Sequence, residues 1–451
     1  MNFTIDVVGE SCFLIQQDNI SLLTDPWFGE PIYGSAWTQY PLPKISYQQI
    51  CSITHIFISH VHADHCCIAS IKKILSKVPD VKIILMKRLN APCFVTKKLL
   101  VNFGSSILDN IVYLTPFESY LVDGLQLWTL PPTSDGHILN DIVDSTLLIK
   151  TSDGLIHFSN DNQPSLTHAR FINELNIRQL LSLIPFSGGS GFPCSYTNLS
   201  HDQKLSIASR IRNDYEITAI KFLEATNFSY FMPVAGNHIV VSRSNEWHLT
   251  TGFLQSPYLA IDSAYKAGVD SVGIYCFPGN TICFDSCSIS SSDVGSLEED
   301  FQFNRNLFIE TTSSRMIPSF RRTSLSPSDQ QVTAAFESYA AEILSVLHQI
   351  SSKSHLPNAT VHITVGLCKL SVCSDSFSLS MFDNSESLLV FLKSLESMKN
   401  VLSLNMHPSL FLEILNKSTH INEADAAGLL EYRRTMPYYP ELYATLFKVI
   451  H

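Results

Sequence analysis

Three imidazoles and a carboxylate fall within six residues, at His60, His62, Asp64 and His65. They follow directly on the apolar run 55–59 (His-Ile-Phe-Ile-Ser), which reads as a buried strand. Imidazole nitrogens and a carboxylate suit Zn(II), and also Fe(II) or Mn(II). Two residues apart in an extended turn, His60 and His62 project to the same side and can chelate one ion. Asp64 and His65, on the turn into the next helix, face a second ion beside the first. A surface loop merely rich in histidine is the competing explanation. With 16 His in 451 residues, four such groups in register at a strand end are a poor fit to chance. His157, mid-strand, and His55, four residues before its strand ends, read instead as histidines satisfied in the core.

The elements that must carry the motif are legible as alternating short runs. Residues 3–8, 12–15 and 20–24 read as three successive strands, parted by Gly9-Glu10-Ser11 and by the polar run 16–19. After strand 55–59 come a helix at 66–77, a strand at 81–86 and a helix at 90–103. Strands recur at 111–114, 125–130, 144–150 and 155–159. An opening meander followed by mixed elements predicts an α/β fold with sheets covered by helices.

Serine-rich stretches at 286–300 and 311–329 interrupt this pattern and read as linker or surface loop. Ser328 and Gln331 have capping-box spacing and would open a helix of roughly 24 residues. Strands are expected near 360–367 and 376–382, and helices near 387–397, 408–416 and 424–434. The expected organisation is a catalytic domain over 1–290, a linker over 291–330 and a smaller α+β domain over 331–451.

His-x-His-x-Asp-His, as it stands at 60–65, is the signature of the metallo-β-lactamase superfamily, which this chain resembles. The resemblance implies an αββα sandwich with a one- or two-metal site at one edge of the sheets. It also implies further site residues. Asp25, in Thr24-Asp25-Pro26-Trp27, corresponds to an aspartate that buttresses a metal ligand. His137, in Asp135-Gly136-His137, matches the third-motif histidine, and Asp161 the bridging carboxylate. His238, closing 232–238, is the choice for the last ligand, with His201 and His248 as competitors. On this reading His60, His62 and His137 hold one ion; Asp64, His65 and His238 hold the other; Asp161 bridges. The cofactor is two divalent ions, zinc foremost, with iron or manganese as the alternative.

Residues 23–28, 34–37, 185–193, 233–236 and 276–280 narrow the match. They are similar to the metallo-β-lactamase-fold part of the CMP-N-acetylneuraminic acid hydroxylases, in order along roughly 5–285. A more distant likeness runs to the N-acyl phosphatidylethanolamine phospholipase D and ascorbate-6-phosphate lactonase branches. Two features depart from the hydroxylase pattern. The Rieske ligand pairs Cys-x-His and Cys-x-x-His are absent here, and Asn237-His238 stands where those enzymes have an aromatic pair. Segment 402–434 looks distantly like lipid-carrier-like domains, the alternative being an interaction or dimerisation domain and hence a homodimer.

Composition excludes several classes. Apolar residues make up 45% and charged residues 16%, which rules out a disordered chain. The net charge of −11 leaves no fold-wide basic surface for nucleic acid. Mean hydropathy is +0.12, yet no uncharged apolar run approaches a membrane span, and the start lacks a signal-peptide pattern, so a cytoplasmic protein is expected. Eleven scattered cysteines with no Cys-x-x-Cys read as reduced, packed thiols. In loop 187–191, Ser187, Gly188, Gly189 and Ser190 either cradle an anionic small-molecule substrate or form a tight turn needing positive φ. Trp37, with Tyr33 and Tyr40, is expected at the pocket mouth.

The sequence therefore predicts a metal-dependent hydrolase of a small ester, amide, lactone or phosphodiester. A hydroxide bridging two cations would attack, while Asp64 orients it and passes its proton to the leaving group. The alternative is a non-haem di-iron oxygenase on the same ligands, fed electrons by a separate redox partner. A non-catalytic metal-binding scaffold is the third reading.

Overall fold

Leu22, Phe57 and Ile84 are buried on one side of the first sheet and their neighbours Leu23, Ile56 and Ile83 on the other. That period of two, apolar on both faces, is what a sheet sandwiched between two layers requires. The computed structural model describes residues 3–88, 93–134, 137–138, 144–236, 238–241, 243–251, 256–284, 288–313, 327–337, 360–372, 377–383, 385–395, 401–415, 424–425 and 428–434. Strands β1 (Thr4–Val7), β2 (Phe13–Gln17) and β3 (Ile20–Thr24) form an antiparallel meander. The strand β4 (Trp37–Gln39) leaves that sheet, which continues in parallel through β5 (His55–Phe57), β6 (Lys82–Met86) and β7 (Ile111–Leu114).

Helices α1 (Tyr47–Ser52), α2 (Ile68–Leu75) and α3 (Phe94–Phe103) cover the outer face with Ile50, Ile71, Ile74, Val95 and Leu99. The inner face meets a seven-stranded sheet made of β8 (Tyr120–Val122), β9 (Leu125–Leu130), β12 (Thr146–Lys150), β13 (Leu155–Phe158), β14 (Gln179–Pro185), β15 (Tyr230–Val234) and β17 (Val272–Gly273). The short strands β10 (Thr133–Ser134) and β11 (His137–Ile138) make a separate hairpin, and β16 (His238–Val240) pairs with β4. Helices α4 (Leu166–Glu174), α5 (His201–Glu224) and α7 (Pro257–Lys266) pack on the far side through Ile172, Phe222 and Ile261. The result is the expected αββα sandwich.

One edge collects the chemistry. The parallel strands β3 and β5 end at Thr24 and Phe57, and β13 and β14 end at Phe158 and Pro185, delivering Asp25, His60, Asp161 and Ser187 to neighbouring loops. Crevices beyond the carboxyl ends of parallel strands are where such sheets bind ligands.

The second core lies in a five-stranded sheet, ordered β20 (Phe377–Met381), β19 (Cys368–Val372), β18 (Thr360–Val365), β21 (Val401–Met406), β22 (Glu431–Arg434). It is joined to the sandwich by backbone pairing: Tyr432 N donates to Ser195 O and Thr197 N to Tyr432 O, each 2.9 Å. Tyr196 stacks on Tyr432 and is buried in that second core.

Two expectations are corrected. Much of the serine-rich linker is helical: α8 (Val294–Ser313), which follows the short α6 (Asn245–Leu249), buries Phe301 and Ile309. The helix expected over 424–434 is interrupted at Gly428, whose φ is +64°, and β22 follows. Ser328 and Gln331 do form the reciprocal cap, opening a helix (329–337) whose expected continuation lies outside the described residues. No helix among the described residues is long and apolar enough to cross a membrane.

Candidate metal centre

Asp25 anchors the site from beneath. Completely buried, it holds the Ser59 backbone N–H at 2.7 Å through Oδ1, and the Ser59 hydroxyl and His65 Nδ1 at 2.8 Å each through Oδ2. Its φ of +35° is a strained backbone position, fixed by the bond from Asp25 N to Phe57 O. Because the single Ser59 hydroxyl proton goes to Asp25, His60 Nδ1, 3.0 Å away, must donate to Ser59 Oγ. This hydrogen-bond network orients both rings: His60 turns an Nε2 lone pair, and His65 its Nε2, toward the same space.

What converges there is unusual. His60 Nε2 lies 2.8 Å from His62 Nδ1, 3.7 Å from Asp144 Oδ1 and 3.9 Å from Asp161 Oδ2. His65 Nε2 lies 3.1 Å from Asp161 Oδ1 and 3.4 Å from Asp64 Oδ2. One ligand atom each from His60, His65 and Asp161 fall within 4.8 Å of one another. Asp161 thus offers one oxygen toward each histidine, the placement a bridging carboxylate needs. Asn160, with φ +54°, makes the left-handed turn after β13 that swings Asp161 inward.

The electrostatics follow from burial and crowding. Burial holds the His60 pKa well below the usual histidine value, and His65 and His62 push it further down; burial lowers His62 as well. Burial also opposes charge on His65, but Asp161, Asp64 and Asp25 outweigh it and raise its pKa well above the ordinary range. The Asp64 carboxylate is kept below its usual range, despite burial, by His65, His62 and His60. Asp144 is pushed up to about 7 by burial first and then by the Asp161 charge. Acceptor lone pairs and carboxylates packed this closely fit a bound cation.

One participant, Asp144, escaped the sequence reading, and another, Tyr33, was expected only at the pocket mouth. Tyr33 donates a 2.9 Å hydrogen bond to Asp64 Oδ1, fixing that carboxylate's orientation. Asp144 precedes β12, with no local motif to mark it. The hairpin β12–β13 carries both aspartates just beyond its last pair, Leu147↔Phe158.

The remaining expected residues are distributed as follows. His137 lies on β11, paired with Ser134, and its side chain is outside the described residues. His238 stands on the β4–β16 ribbon, its ring stacked 4.0 Å from Trp37 and its Nδ1 3.1 Å from Glu10 Oε1. Trp37 in turn meets Tyr33 edge-on at 4.9 Å, so a chain of contacts leads from His238 to Asp64. The two competitors are engaged elsewhere: His201 pairs with Glu246 at 3.5 Å, and His248 bonds Ser244 O and the Val240 N–H. His157 bonds Ser182 within the core, as expected. Tyr40 packs against Phe301 and Phe308 of α8. In loop 187–191 no glycine has positive φ. Close approach bears on Gly188, where a Cβ would meet Tyr215 Oη at 3.0 Å, whereas at Gly189 a Cβ would make only ordinary contact with Trp37 at 3.5 Å.

Residues 4–155 match the model of the Beta-lactamase superfamily domain. That match, the αββα layers and the His-x-His-x-Asp-His loop make residues 4–155 similar to the β-lactamase superfamily domain. Over 78 residues the chain is 30% identical to the cytidine monophosphate-N-acetylneuraminic acid hydroxylase of Xenopus laevis, a stretch covering 17% of this chain and 13% of that protein. A metallo hydrolase from Ignicoccus hospitalis aligns at 15% identity and TM-score 0.40, over 62% of this chain and 97% of that one. The diiron β-hydroxylase CmlA of Streptomyces venezuelae aligns at 14% identity and TM-score 0.40, over 62% of this chain and 54% of that one.

Proposed function

We propose that the site holds two divalent cations and that the chain is a metal-dependent hydrolase of a small ester, amide, lactone or phosphodiester. The observation that carries this is the convergence of ligand-type side chains: His60 Nε2, His62 Nδ1, His65 Nε2 and Asp161 meet at one edge, with His60 and His65 oriented by Ser59 and Asp25. His60, His62 and His137 are assigned to one ion, Asp64, His65 and His238 to the other, and Asp161 to both. Bound cations there supply Lewis-acid polarisation of a substrate oxygen and a lowered pKa for water. Asp64, held by Tyr33, is the group placed to keep and pass on a proton at Oδ2. Ser187, whose buried hydroxyl has no hydrogen-bond partner among the described residues, and the backbone of Gly188 to Ser190 are assigned to the substrate, beside Trp37. The test is hydrolysis of chromogenic esters, lactones and phosphodiesters, with chelator as control. His62→Ala and Asp161→Ala should each lose metal and reduce turnover by at least a hundredfold, with the fold intact by circular dichroism. Full metal occupancy in both variants would contradict the assignment.

A second reading, an oxygenase on the same ligands with electrons from a partner protein, is favoured by two observations. One is the likeness to a hydroxylase; the other is the third carboxylate, Asp144, in a donor set that suits iron. Turnover that requires oxygen and iron would select it over hydrolysis.

A further inference from the structure

We infer that Asp144 is a metal ligand, joining the ion assigned to His60, His62 and His137. This rests on the dinuclear reading above and extends it to a residue that the superfamily signature does not include. Three independent features converge on it.

The first is distance. Two ligand atoms of one ion, each about 2.1 Å from it, are separated by roughly 3.4 Å in a tetrahedral arrangement and less than about 4.2 Å in any other. Asp144 Oδ1 to His60 Nε2, at 3.7 Å, falls inside that range and is too long for a hydrogen bond. The second is the anchoring of its backbone. Ser145 Oγ donates a 2.6 Å bond to Ser59 O, tying the start of β12 to the loop that carries the histidines. Asn162 Nδ2 holds Thr146 Oγ1 at 3.0 Å, tying it to the loop that carries Asp161. Asp144 is therefore placed by both ligand loops. The third is charge. Asp144 Oδ1 and Asp161 Oδ2 stand 3.7 Å and 3.9 Å from the same nitrogen, His60 Nε2, so two carboxylates crowd one site and repel each other. A cation between the carboxylates and His60 removes that cost.

Ligand chemistry then constrains the metal. Each added carboxylate favours iron or manganese over zinc. Neutralisation of the nearby Arg88 is the competing role for Asp144, and it makes the opposite prediction about metal binding.

Cobalt(II) provides the test, because its visible absorption reports each ion's ligands. Cobalt titration of the full chain, wild type and Asp144→Asn, is followed by absorption and by equilibrium dialysis, with thermal melting to check folding. The expected result is two cobalt ions in the wild type. In Asp144→Asn, one site should be weaker by about tenfold to a hundredfold, with an altered band, and the other unchanged. Two ions bound by Asp144→Asn with unaltered affinity and spectrum would overturn the inference and leave the dinuclear reading standing. A wild type that binds no cobalt would overturn both. Should Asp144→Asn fail to fold, Asp144→Glu decides: its displaced carboxylate shifts one site's band if Asp144 is a ligand, and an unshifted band rejects it.

Discussion

At the scale of single residues, the site depends on buttressing as much as on its candidate ligands. Asp25 uses both oxygens on Ser59 and His65, and those bonds orient two imidazoles. Asp25→Asn keeps the shape but exchanges one acceptor for a donor, so metal affinity should fall by about tenfold to a hundredfold while stability changes little. Equilibrium dialysis checks this, and an unchanged dissociation constant would remove Asp25 from the account. Legibility at this scale followed sequence distance. His60, His62, Asp64 and His65 stood out because their spacing alone brings them together. Asp161 became visible only through family resemblance, since an aspartate between two asparagines looks like turn chemistry. Asp144 carried no local signal and Tyr33 read only as a pocket-mouth aromatic, because tertiary contacts place both.

Elements explain why those residues meet. The β12–β13 hairpin is the lever, as both its open ends point to the site edge and deliver Asp144 and Asp161. Its turn depends on Gly154, which has φ +151° and would bring a Cβ to 2.6 Å from Arg178 O. Gly154→Ala should therefore cost about 2–4 kcal/mol and loosen both carboxylates, lowering the urea midpoint and the metal affinity together. Loss of neither would show that the turn does not set the register. Most strands were legible from period-two runs with turn residues between them, as at Ile20–Thr24 and Leu125–Leu130. The misread elements have identifiable causes. Serine content masked α8, whose stability comes from burying Phe301 and Ile309 against the sandwich rather than from propensity. The apolar spacing of 424–434 suggested a helix, but Gly428 turns the chain so that Tyr432 pairs with the loop at Ser195.

For the whole molecule, buried neutral histidines set the response to acid. Burial lowers His168 to about 4, His248 to about 3 and His362 to about 4, each held by hydrogen bonds inside the cores. In the unfolded chain each takes up a proton below its ordinary value of 6.5. Between pH 6.5 and about 4 the unfolded state thus binds more protons, and stability falls as pH falls. His168 alone accounts for about 3 kcal/mol across that window. Urea unfolding at pH 7 and pH 4.5 checks this, and equal midpoints would contradict it.

The central claim, a two-cation centre on His60, His62, Asp64, His65 and Asp161, is tested most directly by metal content. Protein purified without added metal or chelator should contain about two ions per chain by inductively coupled plasma mass spectrometry. Zinc would favour the hydrolase, and iron the oxygenase and the Asp144 ligand set. No bound transition metal, before or after incubation with zinc or ferrous iron, would contradict the account.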